Sequence, residues 1–193
     1  MNEDRLVVCG IAGSLRKQSW NWMLLRAAAL LAPDDIEVRL SKQLPDIPLF
    51  NEDLLVDEPP AVGALRAEVA EADALMIATP EYNGGVPGVL KNVLDWLSLP
   101  LGRSVLEGKP VAIMGASPGR LGTARSQFEL RNTFVFSRSP VLPGPEVLVS
   151  HADQHFDAAG RLTDQLAIDR IGLLFDGLRQ YARLNKQEVV LLP

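Results

Sequence analysis

Hydrophobic runs and amphipathic stretches alternate along this chain. Three short runs are almost wholly apolar, and each leads into a turn rich in Gly, Ser or Pro: residues 6–11, 74–79 and 111–115. Continuous runs of this length are typical of strands buried on both faces of a parallel sheet. Residues 36–40 alternate between apolar and polar, which predicts an edge strand. Residues 141–142 and 147–149 bracket a Pro-Gly-Pro turn and predict an interrupted final strand.

Four segments between these predicted strands have the spacing of amphipathic helices. In the clearest one, apolar residues recur three and four positions apart, at Val86, Val89, Leu90, Val93, Leu94 and Leu97. Pro87 would lie in its first turn, where proline is tolerated. The other predicted helices cover residues 20–31, 62–72 and 166–184, and Thr163 or Asp164 is a candidate N-cap for the last.

The alternation of strands and helices predicts an α/β protein with a parallel sheet and right-handed crossovers. Five strands favour a flavodoxin-like three-layer sandwich with strand order 2-1-3-4-5, in which ligands bind at the carboxyl ends of strands one and three. We predict that residues 1–193 form a single domain. Residues 41–60 are long for a connection, and they are either a functional loop or an ordered surface excursion.

Composition excludes several classes of function. The net charge of −5, from 24 acidic and 19 basic side chains, disfavours nucleic acid as a partner. The single cysteine, Cys9, excludes an internal disulfide and fits a reducing compartment. Residues 1–5 lack the basic head and apolar run of a signal peptide, and no apolar run approaches the ~18 residues of a membrane span. We therefore expect a cytoplasmic protein that binds no membrane.

The loop after the first predicted strand, residues 13–21, has the composition of a phosphate site. A Gly/Ser-rich turn at a helix start directs free backbone N–H groups toward an anion. Ser14 and Ser19 add hydroxyl donors, Asn21 adds an amide, and Arg16 adds a planar cation suited to phosphate.

Known phosphate-binding motifs do not account for this loop. The G-x-G-x-x-G fingerprint is absent, since Gly10 and Gly13 are the only glycines here, and no Walker sequence follows a strand. Cys9 and Arg16 are separated by six residues, one more than a low-molecular-weight phosphatase loop requires, and Cys9 falls within a strand as a buried thiol. The structural alternative is a capped helix start with Ser19 as N-cap.

The loop after the third predicted strand, residues 79–88, suits a flat ligand. Gly84 and Gly85 allow close backbone approach, Tyr82 offers an aromatic surface, and Asn83 tolerates a left-handed conformation. We do not expect a hairpin at the Asn-Gly pair, because a helix follows. The alternative without a ligand is a tight strand-to-helix turn. A third loop, residues 116–123, ends the fourth strand beside them.

Together, the segments GSLRKQSWN (residues 13–21) and PEYNGGVPGVLKNVLDWLS (residues 80–98) resemble the NADPH-dependent FMN reductase family. This family includes quinone, azo and chromate reductases, and the resemblance extends over roughly residues 5–181. It implies that FMN contacts the phosphate-loop residues Ser14, Arg16, Ser19 and Asn21, the isoalloxazine-loop residues Pro80, Glu81, Tyr82, Asn83 and Gly84, and Ser117 of the third loop. Residues 49–53 resemble a family segment at the active-site rim, whereas Pro118 and Arg120 depart from common members.

The resemblance also implies an activity: ping-pong hydride transfer from NADPH or NADH, through N5 of FMN, to a quinone, azo compound, free flavin or oxidised metal ion. No side chain needs to act as an acid, so we expect Glu81 to orient its loop. A homodimer or homotetramer is implied as well. Alternatives are an FMN-binding electron carrier or regulatory flavoprotein without NAD(P)H turnover, and a phosphate-binding module without flavin. We expect no metal site at His151 and His155.

Overall fold

The computed structural model describes the backbone of residues 5–191 and the side chains of residues 5–184. Its five strands are β1 (Leu6–Ala12), β2 (Ile36–Leu40), β3 (Ala74–Ala78), β4 (Val111–Ala116) and β5 (Val147–Val149). All pair in parallel in the order β2-β1-β3-β4-β5, which confirms the predicted topology and β2 as an edge strand. Val141 pairs with Val111 before the chain reaches β5, as the interrupted final strand predicts. The single domain stays a prediction, and its ends, 1–4 and 192–193, lie outside the described residues.

Five helices connect or follow these strands: α1 (Trp20–Leu31), α2 (Pro60–Glu71), α3 (Gly88–Leu97), α4 (Ala124–Phe136) and α5 (Gln165–Leu191). The bounds of α1 match the prediction, and Asp164 caps α5 by accepting from the N–H of Ala167 at 3.1 Å. The alternation implied α4, but no apolar pattern located it. The reason is that its buried face includes two polar residues, Ser126 and Gln127.

Successive strand residues enter two different cores. In β3, Met76 packs with α1 and α5 on one face of the sheet, whereas Leu75 and Ile77 pack with α2, α3 and α4 on the other. Helices therefore cover both faces, and this burial explains why the strands are apolar without interruption. The result is the predicted three-layer sandwich.

The carboxyl ends of β1, β3 and β4 lie side by side, so the loops that follow them share one edge of the sheet. Ala12 pairs with Ala78, and the N–H of Gly13 donates to the carbonyl of Ala78 at 2.9 Å. A Cβ at Gly115 of β4 would lie 1.9 Å from Oγ1 of Thr123 and 2.5 Å from the carbonyl oxygen of Thr79. This close approach requires glycine at position 115.

Residues 41–60 form an ordered surface excursion with short helical turns at Leu44–Asp46 and Glu52–Leu55. The excursion is anchored on α3. The carbonyl of Pro48 accepts from Nδ2 of Asn92 at 2.8 Å and from Nε1 of Trp96 at 2.9 Å. These bonds satisfy polar groups that a long loop would otherwise leave to solvent.

Candidate functional site

A cleft of about 290 Å³ opens where the loops after β1, β3 and β4 meet; we call it the main cleft. Its lining contains every residue of the predicted set except Asn83 and Gly84. The lining residues are Ser14, Arg16, Ser19, Trp20, Asn21, Pro80, Glu81, Tyr82, Ala116, Ser117 and Pro118. The cleft therefore lies at the edge of the sheet where doubly wound folds bind ligands.

The start of α1 presents backbone donors to the main cleft. Ser19 is the N-cap, and its Oγ accepts from the N–H of Trp22 at 3.2 Å. The N–H groups of Trp20 and Asn21 belong to the first turn and have no intrahelical acceptor. Both residues line the cleft, so these N–H groups are available to an anion at the positive end of the helix dipole.

Arg16 adds a cation that has no acidic partner among the described residues. Its guanidinium carbon lies 5.8 Å from the ring centroid of Trp20, within range of a cation–π contact. The backbone N–H of Arg16 donates to Oγ of Ser14 at 3.4 Å, and this hydroxyl lies 3.5 Å from Oη of Tyr82. The guanidinium of Arg16 therefore forms no ion pair, whereas Oγ of Ser14 and Oγ of Ser19 each already accept a bond from the backbone.

Asn21 differs from the expectation that its amide is a free donor. Nδ2 donates to the carbonyl of Ala116 at 2.9 Å, and Oδ1 accepts from the N–H of Ala116 at 2.8 Å. The buried amide therefore ties the start of α1 to the end of β4. The backbone N–H of Asn21 is the donor left for a ligand.

The loop after β3 contains a two-residue turn that is closed by an isolated antiparallel bridge. Tyr82 and Gly85 exchange backbone hydrogen bonds at 3.1 and 3.4 Å. Asn83 and Gly84, between them, have φ of 51° and 79°, as a type I′ turn requires. The pairing stops at this isolated bridge and α3 begins at Gly88, so no second strand follows and the expectation that no β-hairpin forms here is confirmed. The turn places Asn83 and Gly84 at its tip, outside the cleft lining, and leaves Tyr82 53% exposed at the mouth.

Glu81 links this loop to the start of α4. The backbone N–H groups of Arg125 and Ser126 donate to its Oε2 at 3.0 and 3.3 Å, and Nε of Arg125 donates to Oε1 at 2.6 Å. Thr123 precedes α4 without a side-chain capping bond, so Glu81 supplies the cap from another loop. Burial acts to raise the pKa of Glu81, but the bonds from Arg125 and Ser126 outweigh it and hold the pKa below its ordinary value. This geometry supports the predicted orienting role.

Two further contacts hold the loop after β3 against α4. Oγ1 of Thr79 lies 2.9 Å from Oγ of Ser126, with both residues buried. Oε2 of Glu129 accepts from the N–H of Val86 at 2.9 Å. Sequence reasoning missed the α4 partners, because they lie 43 to 47 residues away and nothing in the loop motif indicates them.

The third loop contributes to the lining of the main cleft, whereas residues 49–53, the predicted rim, do not. Ser117 lines the main cleft as expected, and its Oγ accepts from the N–H of Gly119 at 3.1 Å. None of residues 49–53 is among the residues that line that cleft, and their role at its rim stays a prediction. Phe50 instead packs edge-to-face on Trp96, with ring centroids 5.1 Å apart, because the excursion is anchored on α3.

Metal and thiol chemistry find no support at this site. Cys9 is buried in β1, and burial raises the pKa of its thiol to about 12, which makes it unsuitable as a nucleophile. Among the described residues, no group of three or more His, Cys, Asp or Glu side chains could hold a metal ion. A search of the same residues finds no helix with the length and apolar character needed to span a membrane.

Comparison with known proteins extends the likeness beyond the two motifs. The sequence model of the family described as NADPH-dependent FMN reductase matches residues 6–154. An NAD(P)H-dependent FMN reductase of Pseudomonas aeruginosa is 45% identical over 181 residues, covering 93% of this chain and 97% of that protein. A quinone reductase of Escherichia coli K12 is 40% identical over 171 residues, covering 87% and 90%. Among solved structures, the flavoenzyme FerB, an NAD(P)H:(acceptor) oxidoreductase of Paracoccus denitrificans, has a TM-score of 0.84 and 32% identity, covering 93% of this chain and 98% of its own.

Proposed function

Because the chain belongs to the NADPH-dependent FMN reductase family, we propose that its main cleft binds FMN and that the protein uses NADPH or NADH to reduce a quinone there. Family membership confirms the predicted oxidoreductase class and the predicted dependence on FMN and NAD(P)H. The quinone is proposed because close relatives are quinone reductases. Azo compounds, free flavin and oxidised metal ions are the other acceptors to compare with it.

The donors of the main cleft fit the phosphate group of FMN. The observation that carries the proposal is that the first-turn N–H groups of Trp20 and Asn21 and the guanidinium of Arg16 border one cleft without acidic partners. Hydroxyl groups of Ser14 and Ser19 complete a set of donors suited to a phosphate dianion. Ser117, which lines the same cleft on the neighbouring loop, is the third-loop contact of the proposal.

The loop after β3 fits the flat, uncharged ring of FMN. Pro80 and Tyr82 offer apolar surface at the cleft, and the turn at Asn83 and Gly84 lies beside the residues that line it. When bound, FMN supplies the ring that accepts a hydride and passes it on. Glu81 donates no proton near neutral pH, since its lowered pKa keeps it ionised on Arg125. Its role is to hold the loop in place.

Steady-state kinetics and flavin binding test this function. Protein loaded with FMN should oxidise NADPH in the presence of a quinone, with parallel double-reciprocal lines. We expect this ping-pong pattern because one cleft has to receive the electron donor and the acceptor in turn. Converging lines would indicate separate donor and acceptor sites. Stoichiometric FMN without NAD(P)H oxidation would identify an electron carrier instead, and failure to retain FMN after gel filtration would overturn the site.

A homodimer or homotetramer assembled through α4 is also part of the proposal. Phe128, Val135 and Phe136 are 72%, 72% and 82% exposed along one face of this helix, an unusual density of large apolar side chains. Phe136→Asp should therefore lower the molar mass measured by light scattering, whereas Phe156→Leu, a change of a buried residue, should not. The buried single cysteine supports the cytoplasm as the compartment.

A further inference from the structure

A second cleft, of about 230 Å³, lies on the other side of the loop after β1; we call it the basic cleft. It shares Ser14 and Arg16 with the main cleft, so the two clefts border the same loop. Lys17 and Lys42 add two further cations to its lining, and no acidic residue lines it. Neither the fold nor the proposed FMN site accounts for this concentration of positive charge.

The cations of the basic cleft are not neutralised within the described part of the chain. Arg16, Lys17 and Lys42 are exposed and form no ion pair there, whereas Arg66 and Arg179 are paired with carboxylates. The whole chain carries a net charge of −5, so this cluster opposes the overall balance. Unpaired like charges in a concave site attract an anion and favour its binding.

The basic cleft also has an ordered frame. It lies at the carboxyl ends of β1 and β2, where the N–H of Ser41 donates to the carbonyl of Gly10 at 2.9 Å. Ser41 is buried and its Oγ accepts from the N–H of Gln43, while the neighbouring Leu44 is buried in the core. The backbone that carries Lys42 is therefore held in place before any ligand arrives.

We propose that the basic cleft binds the 2′-phosphate of NADPH and so makes NADPH preferred over NADH. This rests on the proposed function, because the nicotinamide end of the dinucleotide has to reach the main cleft. The 2′-phosphate lies at the opposite end of the molecule, so it is the phosphate that extends into an adjoining cleft. NADH has a hydroxyl at this position and gains nothing from Lys17 and Lys42. A phosphate monoester dianion matches compact ammonium donors.

Kinetics with both nucleotides test this selectivity. In Lys17→Ala/Lys42→Ala, KM for NADPH should rise about tenfold or more, as expected for lost charge-assisted bonds, and KM for NADH by less than about twofold. The control is Arg26→Ala/Arg103→Ala, which removes the same charge from exposed arginines outside both clefts. It should leave the ratio of the two KM values near that of the parent protein.

A binding measurement separates the 2′-phosphate from the rest of NADPH. By calorimetry on the FMN-loaded protein, 2′,5′-ADP should bind more tightly than 5′-AMP, and the double lysine variant should remove this difference. If the double lysine variant binds NADPH and NADH more weakly by the same factor, the lysines contact the pyrophosphate, and the proposal is overturned. An unchanged KM ratio, or loss of FMN affinity in the variant, would overturn it as well. Failure of the parent protein to oxidise either nucleotide would instead contradict the proposed function.

Discussion

The loop after β1 keeps its cation and its first-turn N–H groups free, whereas the loop after β3 uses its charged group within the protein. Arg16 and the first-turn N–H groups of α1 border the main cleft without acidic partners. Glu81, in the other loop, has a side chain only 7% exposed and bonded to Arg125 and Ser126. Both loops border the same cleft, and under the proposed function the first faces the phosphate of FMN and the second its ring.

The difference distinguishes groups that contact a ligand directly from groups that hold a loop in position. A phosphate needs unpaired donors, and these are most effective when protein acceptors do not compete for them. A flat ring needs a surface of fixed shape, which the bonds from α4 to Glu81, Thr79 and Val86 provide. Changes in the first loop should therefore discriminate between ligands, whereas changes in the second should affect stability and all flavins together.

The largest expected effect is on the phosphate contact. Arg16→Ala should weaken FMN binding by about ten- to hundredfold, which corresponds to roughly 1.5–3 kcal/mol, while riboflavin affinity stays nearly constant. Fluorescence titration of both flavins measures the contrast. Lys17→Ala serves as the control and should affect FMN much less, because it lines the basic cleft only. An equal loss of riboflavin affinity in Arg16→Ala would show that the arginine shapes the pocket instead.

Glu81→Gln should come next, and its effect should fall on stability. We expect the free energy of unfolding to decrease by about 1–2 kcal/mol, the lower part of the range for charged hydrogen bonds, because Arg125 is partly in solvent. The affinities for FMN and for riboflavin should then decrease by similar factors. Urea denaturation and the two titrations measure these effects, and a selective loss of FMN would contradict the positioning role.

The pH dependence of the same variant tests the positioning role of Glu81 further. Because the pKa of Glu81 is lowered in the folded protein, its contribution is complete above its ordinary value of 4.5 and is lost as pH falls through the lowered one. The stability difference between wild type and Glu81→Gln should stay constant between neutral pH and about 5, then narrow in more acidic solution. A difference that narrows already near neutral pH would point to another titrating group.

A smaller change is expected at the helix cap. Ser19→Ala should reduce the free energy of unfolding by about 1 kcal/mol, the usual cost of losing an N-cap. Ser19→Asp should recover that stability, because a carboxylate also caps a helix. Its affinity for FMN should nevertheless be low, because the carboxylate repels the phosphate. Riboflavin should bind normally to Ser19→Asp. If FMN binds Ser19→Asp as tightly as wild type, the phosphate does not lie at the start of α1.

The smallest effect should follow the loss of the exposed bond to Val86. Glu129→Ala should cost roughly 0.5–1 kcal/mol, as for a single hydrogen bond near solvent. A Cβ at Gly85 would lie 2.6 Å from Oε2 of Glu129, so Gly85→Ala should be less destabilising in the Glu129→Ala background than alone. Thermal unfolding of the two single variants and the double variant measures this coupling. Strict additivity would show that Glu129 moves aside without cost.

Local sequence patterns were enough to predict the strands, most helices and the two loops that meet at the main cleft. Apolar periodicity is a local property, and it located α1 between the same residues as the structure does. The sequence pattern predicted that residues 13–21 and the loop after β3 follow two strands. In the structure these strands are neighbours, so both loops border the main cleft. The Ser19 cap also followed from local chemistry.

Which polar groups remain free for a ligand depends on the packing of distant elements. Asn21 uses its amide on Ala116, 95 residues away, and Glu81 uses its carboxylate on Arg125, 44 residues away. Apolar periodicity did not locate α4 for the same reason. Its buried Gln127 is polar, and the amide of this residue donates to the carbonyl of Val147 in a distant element. Local patterns report which side chains are buried or polar. Their partners are set by contacts between distant elements, which form only when the layers pack together.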